Sequence, residues 1–118
     1  MPDPGDVVVV DFAGATGLKR RPAVVVSSAI YHAHRPDLIL ATLTSNLASA
    51  TTPTDHILRD WSAAGLRKPT AFRAYLGMAA PGSIHQIGRL TDRDWEAVQA
   101  RLAAALGIPA PPIITPGP

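Results

Sequence analysis

The first half of the chain holds three apolar runs, Val7–Phe12, Ala23–Ser27 and Leu38–Thr44, rich in β-branched residues and separated by Gly-, Pro- or basic segments. That pattern predicts three strands. Val7-Val8-Val9-Val10 shows no alternation of apolar and polar positions. A strand with one wet face alternates, so this one is expected to be covered on both faces, by the interior of a barrel on one and by a partner subunit on the other. Gly14 and Gly17 mark Ala13–Arg20 as a loop, and Ser45–Pro53 reads as a second, polar loop.

In the second half Asp55–Leu58 and Thr70–Ala74 read as short strands, Asp60–Gly65 as one helical turn stopped by glycine, and Ile84–Leu90 as the last strand. A helix with full start signals follows. Thr91 is the expected N-cap, Asp92 and Asp94 suit the positive end of the helix, and Leu90 and Trp95 form a hydrophobic staple. Trp95, Val98, Leu102 and Leu106 recur at helical spacing as one apolar stripe, ended by Gly107 and Pro109. The uncharged, Pro-rich tail Ile108–Pro118 is expected to stay outside the core, extended or disordered.

A length of 118 residues suits one domain, 1–118, with its core over 5–107. Cysteine is absent, which removes disulfides, thiolate nucleophiles and the usual structural zinc sites, and fits a cytoplasmic setting. The start, Met-Pro-Asp-Pro-Gly-Asp, carries no basic region ahead of an apolar stretch, and Asp11 interrupts the first apolar run, so neither a signal peptide nor a membrane span is expected. The formal charge is only +2, yet three of the eleven basic residues are adjacent at Lys19-Arg20-Arg21. Clustering of that kind suits a local anionic partner, although the net charge alone would not show one.

Two stretches carry candidate chemistry. Pro22 biases Arg21 toward extended backbone at the entry to a buried strand, so a guanidinium is held on a rigid element while facing solvent. Arginine grips a phosphate through two parallel hydrogen bonds and stabilises charge on a phosphorane-like transition state. In Thr42-Leu43-Thr44-Ser45-Asn46 alternation puts Thr42 and Thr44 on one face, and hydroxyls and an amide gather where a strand opens into a loop. Taken alone, the first stretch reads more readily as a solvated loop with an arginine ahead of a strand, and the second commonly as a strand end that satisfies its own backbone. Gly14–Lys19 lacks the Gly-Lys-Ser/Thr ending of a phosphate loop, and His32, His34, His56 and His85 form no recognisable ligand set, so neither a nucleotide cofactor nor a metal is expected. Gly-x-Ser-x-Gly and adjacent Glu pairs are absent, leaving serine hydrolase and glycosidase readings unsupported.

The order Gly5-Asp6-Val7, Val10-Asp11-Phe12, Lys19-Arg20-Arg21-Pro22-Ala23-Val24-Val25-Val26-Ser27 and Thr44-Ser45-Asn46 resembles the PemK/MazF-type toxins. Gly65-Leu66-Arg67-Lys68-Pro69-Thr70, Arg73-Ala74 and Gly88-Arg89-Leu90-Thr91-Asp92-Arg93-Asp94 continue the resemblance in the same order, so that it runs from about Gly5 to Leu106. It implies an SH3-like β-barrel, mainly β with a long C-terminal helix, dimerised so that single-stranded RNA lies in a groove between subunits. It also implies an endoribonuclease toxin of the mRNA interferase type, without metal or cofactor, opposed by a cognate antitoxin. The catalytic pair implied by position is Arg21 and Thr44. The reaction implied is attack of the ribose 2′-hydroxyl on the adjacent phosphorus, giving a cyclic phosphate and a 5′-hydroxyl. Lys19, Arg20, Ser45, Asn46, Arg73 and Tyr75 are the expected RNA contacts.

The chain departs from the family in three places. Tyr75 stands where some relatives carry the aspartate of an Arg-x-Asp element, which leaves the general base unassigned; the first loop, Ala13–Arg20, is shorter than in many relatives; and Gly77–Ser83 lacks a common Thr-Ile-Asp. Two other readings follow: a toxin similar to CcdB, which binds DNA gyrase, or a relative that only binds RNA or its antitoxin. The Lys19-Arg20-Arg21-Pro22 element argues against the first, and Tyr75 keeps the second open.

Overall fold

A computed structural model describes residues 2–14 and 17–109. Its elements are β1 (Asp6–Gly14), β2 (Gly17–Val25), α1 (Ala29–His34), β3 (Leu38–Thr44), β4 (His56–Ile57), β5 (Ala71–Ala79), β6 (Ile84–Arg89) and α2 (Asp92–Leu106). The strands form one antiparallel sheet in the order β4-β5-β3-β2-β1-β6. Among the described residues the two outer strands do not pair with each other, so the expected barrel is an open, six-stranded sheet with a C-terminal helix.

Both faces of this sheet carry apolar side chains. Val7, Val24, Leu43 and Phe72 pack with Val98 of α2 and with Leu58, Ala64 and Leu90. Val8, Val10, Ala23, Val25, Leu38, Leu40 and Ile84 form a second cluster. Val7 and Val8 are both fully buried within a single chain. The missing alternation of the valine run therefore needs no partner subunit, and that part of the expectation is corrected: one chain covers both sides of β1.

The hairpin of β1 and β2 is longer than the sequence suggests. The ladder runs from Val7↔Val24 out to Gly14↔Gly17, so most of the expected loop Ala13–Arg20 is strand. Gly14 is the last residue of β1 and Gly17, its register partner, the first of β2, and Arg20 Nε donates to the carboxylate of its register partner Asp11 at 3.2 Å. On its other side β2 pairs with β3 only from Ala23 to Val25. That ladder stops beside Pro22, which has no N–H to give it.

Other differences have local causes. Ala29–His34, which carries no helical signal in the sequence, is a short helix whose N-cap Ser28 accepts from the Tyr31 N–H; six residues are too few to register as a helical period. β5 extends to Ala79, well past the expected Ala74, because its pairing with β3 slips: Leu43 faces Phe72 while Ala41 faces Leu76, leaving Arg73, Ala74 and Tyr75 opposite Thr42. Such a bulge hides a strand's period. The Ser45–Pro53 loop includes a 3-10 turn, Leu47–Ser49.

The helix α2 starts and stops as expected, with Gly107 in the left-handed conformation (φ 69°) returning its N–H to the last turn. Its cap and stripe differ in detail. The Thr91 hydroxyl does not cap the helix but donates to Asp60 Oδ2 at 2.6 Å. Val98 and Ala103 are buried, Trp95 and Leu102 partly so, whereas Leu106, the last residue of the helix, is 53 % exposed. Leu90 and Trp95 join the same cluster, as a staple would. The tail from residue 110 lies outside the described residues.

Candidate functional site

A groove of about 930 Å³ opens where β2 and β3 part. Continuing the β2–β3 register past Ala23↔Thr42 brings Arg21 level with Thr44, so the strand separation next to Pro22 leaves these two side chains facing a common space. Arg21 is exposed on a strand held from the other side by Val10, and Thr44 is partly buried. The Thr44 Oγ1 accepts from the Asn46 N–H at 3.1 Å, which fixes the strand-to-loop corner and leaves the hydroxyl proton available to donate.

The groove collects Lys19, Arg20, Arg21, Thr44, Ser45 and Asn46, six of the eight expected site residues. Arg73 and Tyr75 are not among its lining residues: both lie exposed at the β5 bulge, with Tyr75 69 % accessible. Two further cations enter from a segment the sequence reading did not assign, Arg67 and Lys68. Among the described residues five basic side chains thus line the space, with no carboxylate, histidine or aromatic ring. Nearly half of the chain's eleven basic residues meet here, which explains how a chain of net charge +2 presents a strongly cationic site.

The second basic wall is positioned by backbone contact. The turn Asp60–Gly65 closes through the Ala64 N–H to the Asp60 carbonyl, and Gly65 follows at φ 88°. A Cβ on Gly65 would stand 2.2 Å from the Ile87 carbonyl oxygen, and one on Gly88 would stand 2.0 Å from that of Ala64. Only two glycines let the turn lie this close to β6. Ile87 is the extra residue of a β1–β6 register slip between Val7↔Gly88 and Val8↔Gln86, and it lines the groove. Beyond the crossing, Leu66 packs on the core and buried Thr70 donates its hydroxyl to the Lys68 carbonyl at 2.8 Å.

The turn is anchored from below by α2. Asp94, expected only to complement the helix terminus, is fully buried and accepts from the N–H groups of Arg59 and Asp60 at 2.9 and 2.8 Å and pairs with His56 Nε2 at 2.9 Å. Burial opposes its charge, but these bonds outweigh that and hold its pKa below the ordinary value. Asp60 in turn accepts a two-pronged bond from Arg93 and one from Thr91, which keep its carboxyl well below the usual range. A carboxylate at the third position of a predicted helix gives no sign that it will be used this way.

The remaining histidines serve elsewhere or face solvent: His32 pairs with buried Ser27, and His34 and His85 are exposed. Among the described residues no group of three or more His, Asp or Glu side chains is arranged to hold a metal ion, and no helix is long and apolar enough to cross a membrane.

Comparisons with known proteins agree with this architecture. The structure is similar to a mycobacterial endoribonuclease solved in complex with its cognate antitoxin (TM-score 0.76, 21 % identity, covering 94 % of this chain and 100 % of that one). It is also similar to a chain of a MazE-MazF crystal structure from Deinococcus radiodurans (0.72, 22 %, 92 % and 98 %) and to the Mycobacterium tuberculosis toxin MazF-mt6 (0.71, 15 %, 88 % and 98 %). At these identities the likeness carries the fold alone. A search of curated protein sequences returned no match. A family model for PemK-like, MazF-like toxins matches residues 3–106, nearly the whole described chain. With its open antiparallel sheet, its C-terminal helix and the residues that define that model, the chain belongs to the PemK-like, MazF-like toxins of type II toxin-antitoxin systems.

Proposed function

We propose that this toxin is an endoribonuclease that cuts single-stranded RNA, mRNA included, in the groove between β2 and β3. The observation that carries the reading is the meeting of Arg21 and Thr44 at the mouth of a groove with five cations and no carboxylate. A surface of that charge is matched to a polyanion, which favours RNA over the gyrase-binding alternative.

In this mechanism the 2′-hydroxyl oxygen forms a bond to the adjacent phosphorus, the bond to the 5′-oxygen breaks, and a cyclic phosphate and a 5′-hydroxyl result. The Arg21 guanidinium meets the charge that builds on the phosphoryl oxygens, and Thr44 donates to one of them or orients the attacking hydroxyl. Among the described residues no imidazole or carboxylate lines the groove of one chain, so in this mechanism solvent takes the 2′-hydroxyl proton and returns one to the leaving oxygen. On that account kcat rises with pH instead of tracing a bell.

A homodimer is part of the proposal through the family resemblance, not through the valine run, which one chain covers by itself. A monomer in sedimentation at micromolar protein would remove it. The antitoxin proposed as partner lays an acidic segment with apolar residues along the groove, where cations border Val9, Leu43, Leu66 and Ile87. Two structural relatives were solved with their antitoxins, which supports a partner of this kind.

One RNA of defined sequence tests the mechanism. Deoxyribose at the cut site should abolish cleavage there, and EDTA should leave the rate unchanged. Cleavage of the deoxy substrate at the same bond would disprove 2′-hydroxyl attack.

A further inference from the structure

The geometry points to Arg67 and Lys68 as positioning residues that hold RNA phosphates next to the scissile one, an assignment that rests on the ribonuclease reading above. Arg21 and Thr44 form one side of the groove, and Arg67 and Lys68 reach the same space from a separate segment between Gly65 and β5. A space of about 930 Å³ is at the upper end of pockets that enclose a drug-sized ligand, so it takes more than the reacting phosphate. Five cations drawn from two segments around a space of that size suit an extended anion with several charges, which a strand of RNA supplies and a single phosphate does not.

The two side chains are suited to that job in three ways. Their backbone is fixed: Gly65 is locked against Gly88, the Leu66 N–H bonds the Trp61 carbonyl, and buried Thr70 holds the Lys68 carbonyl. Their charge is unspent, because neither has an ion-pair partner among the described residues, whereas Arg20 is bonded to Asp11. Both are exposed, so binding an anion demands little desolvation of the protein. Among the described residues no aromatic ring lines the groove to stack a base, so backbone charge carries more of the grip on a single strand.

The test is the double variant Arg67→Gln/Lys68→Gln against wild type, on one fluorescent RNA across a salt series, with binding read on the same RNA carrying deoxyribose at the cut site. The double variant should raise KM about tenfold at low salt and flatten the log–log salt dependence of binding by about 1.4, the value for two phosphate contacts on a single strand, with kcat changed less than about twofold. The charge-preserving swap Arg67→Lys/Lys68→Arg should restore both KM and slope, which a merely structural role would not predict. Wild-type KM and slope in the Gln variant would overturn the assignment, whatever that variant does to binding of an acidic peptide; so would a fall in kcat with KM unchanged. Wild-type protein that neither binds nor cuts the RNA would overturn the ribonuclease reading together with this one.

Discussion

Arg20-Arg21-Pro22 and Arg67-Lys68-Pro69 place two cations ahead of a proline, and they reach one groove from different kinds of backbone. The first lies in β2, hydrogen-bonded along its length to β1, and Pro22 marks where pairing with β3 begins. The second lies outside any strand, just ahead of β5, and is held by a glycine crossing and one hydroxyl. In both, the proline leads into a ladder and leaves the cations before it free of the pairing on that side. The difference is in rigidity of the support: a full hairpin carries the residue proposed to meet the reacting phosphate, and a pinned connection carries the two proposed to hold the strand beyond it.

The largest effect is expected on the hairpin side, at Arg21. Arg21→Lys keeps the charge but loses the planar fork, so kcat should fall by about 10²–10³ with the melting temperature little changed, since the side chain is exposed. Full activity in Arg21→Lys would remove Arg21 from the two-pronged role and make the two walls equivalent. Next in size is the anchor of the second wall. Asp94→Asn leaves at least one buried donor of the Arg59–Asp60 turn unpaired and should lower stability by roughly 3 kcal/mol in denaturant unfolding. Gly88→Ala drives a methyl into the Ala64 carbonyl and should lower stability by about 2 kcal/mol and raise KM, whereas Gly82→Ala, with open space around it, should do neither.

Acid should separate the supports as well. Asp94 and Asp60 both have folded-state pKa values below the ordinary aspartate value, so the stability they confer is fully present above about pH 4 and is lost as pH falls below it. Urea midpoints measured from pH 6 down to pH 2 should decline in wild type, and more gently in Arg93→Gln. The smallest effect is expected at the Asp11–Arg20 pair of the hairpin. Asp11→Asn frees Arg20 from an exposed pair worth under about 1 kcal/mol, so RNA affinity should rise by a few-fold at most and the salt slope should steepen.

The strands of the first half and the limits of α2 were legible because β-branched runs and helix end signals are local properties. What local pattern missed was long-range. Gly14 and Gly17 look like chain breakers until the ladder, running through Asp11↔Arg20 to Gly14↔Gly17, shows them paired with each other. The end of β5 was hidden by the bulge that sets three residues against Thr42. In the site, Arg21 and Thr44 were drawn together by resemblance to a family, and the register explains their meeting. Arg67 and Lys68 had a visible sign, the second dibasic-proline stretch, but nothing within ten residues says that Gly65 lies on Gly88.

Asp94 also bears on how the molecule comes apart. It sits on the helix, yet the backbone it satisfies belongs to residues 34 and 35 positions earlier, and the Thr91 and Arg93 side chains tie the same turn to α2 through Asp60. A chain cut after Leu90 would keep every strand and still expose two amide protons that had been sealed from exchange. Sheet and helix should therefore melt in a single cooperative transition, with the amides of Arg59 and Asp60 exchanging only when the whole domain opens.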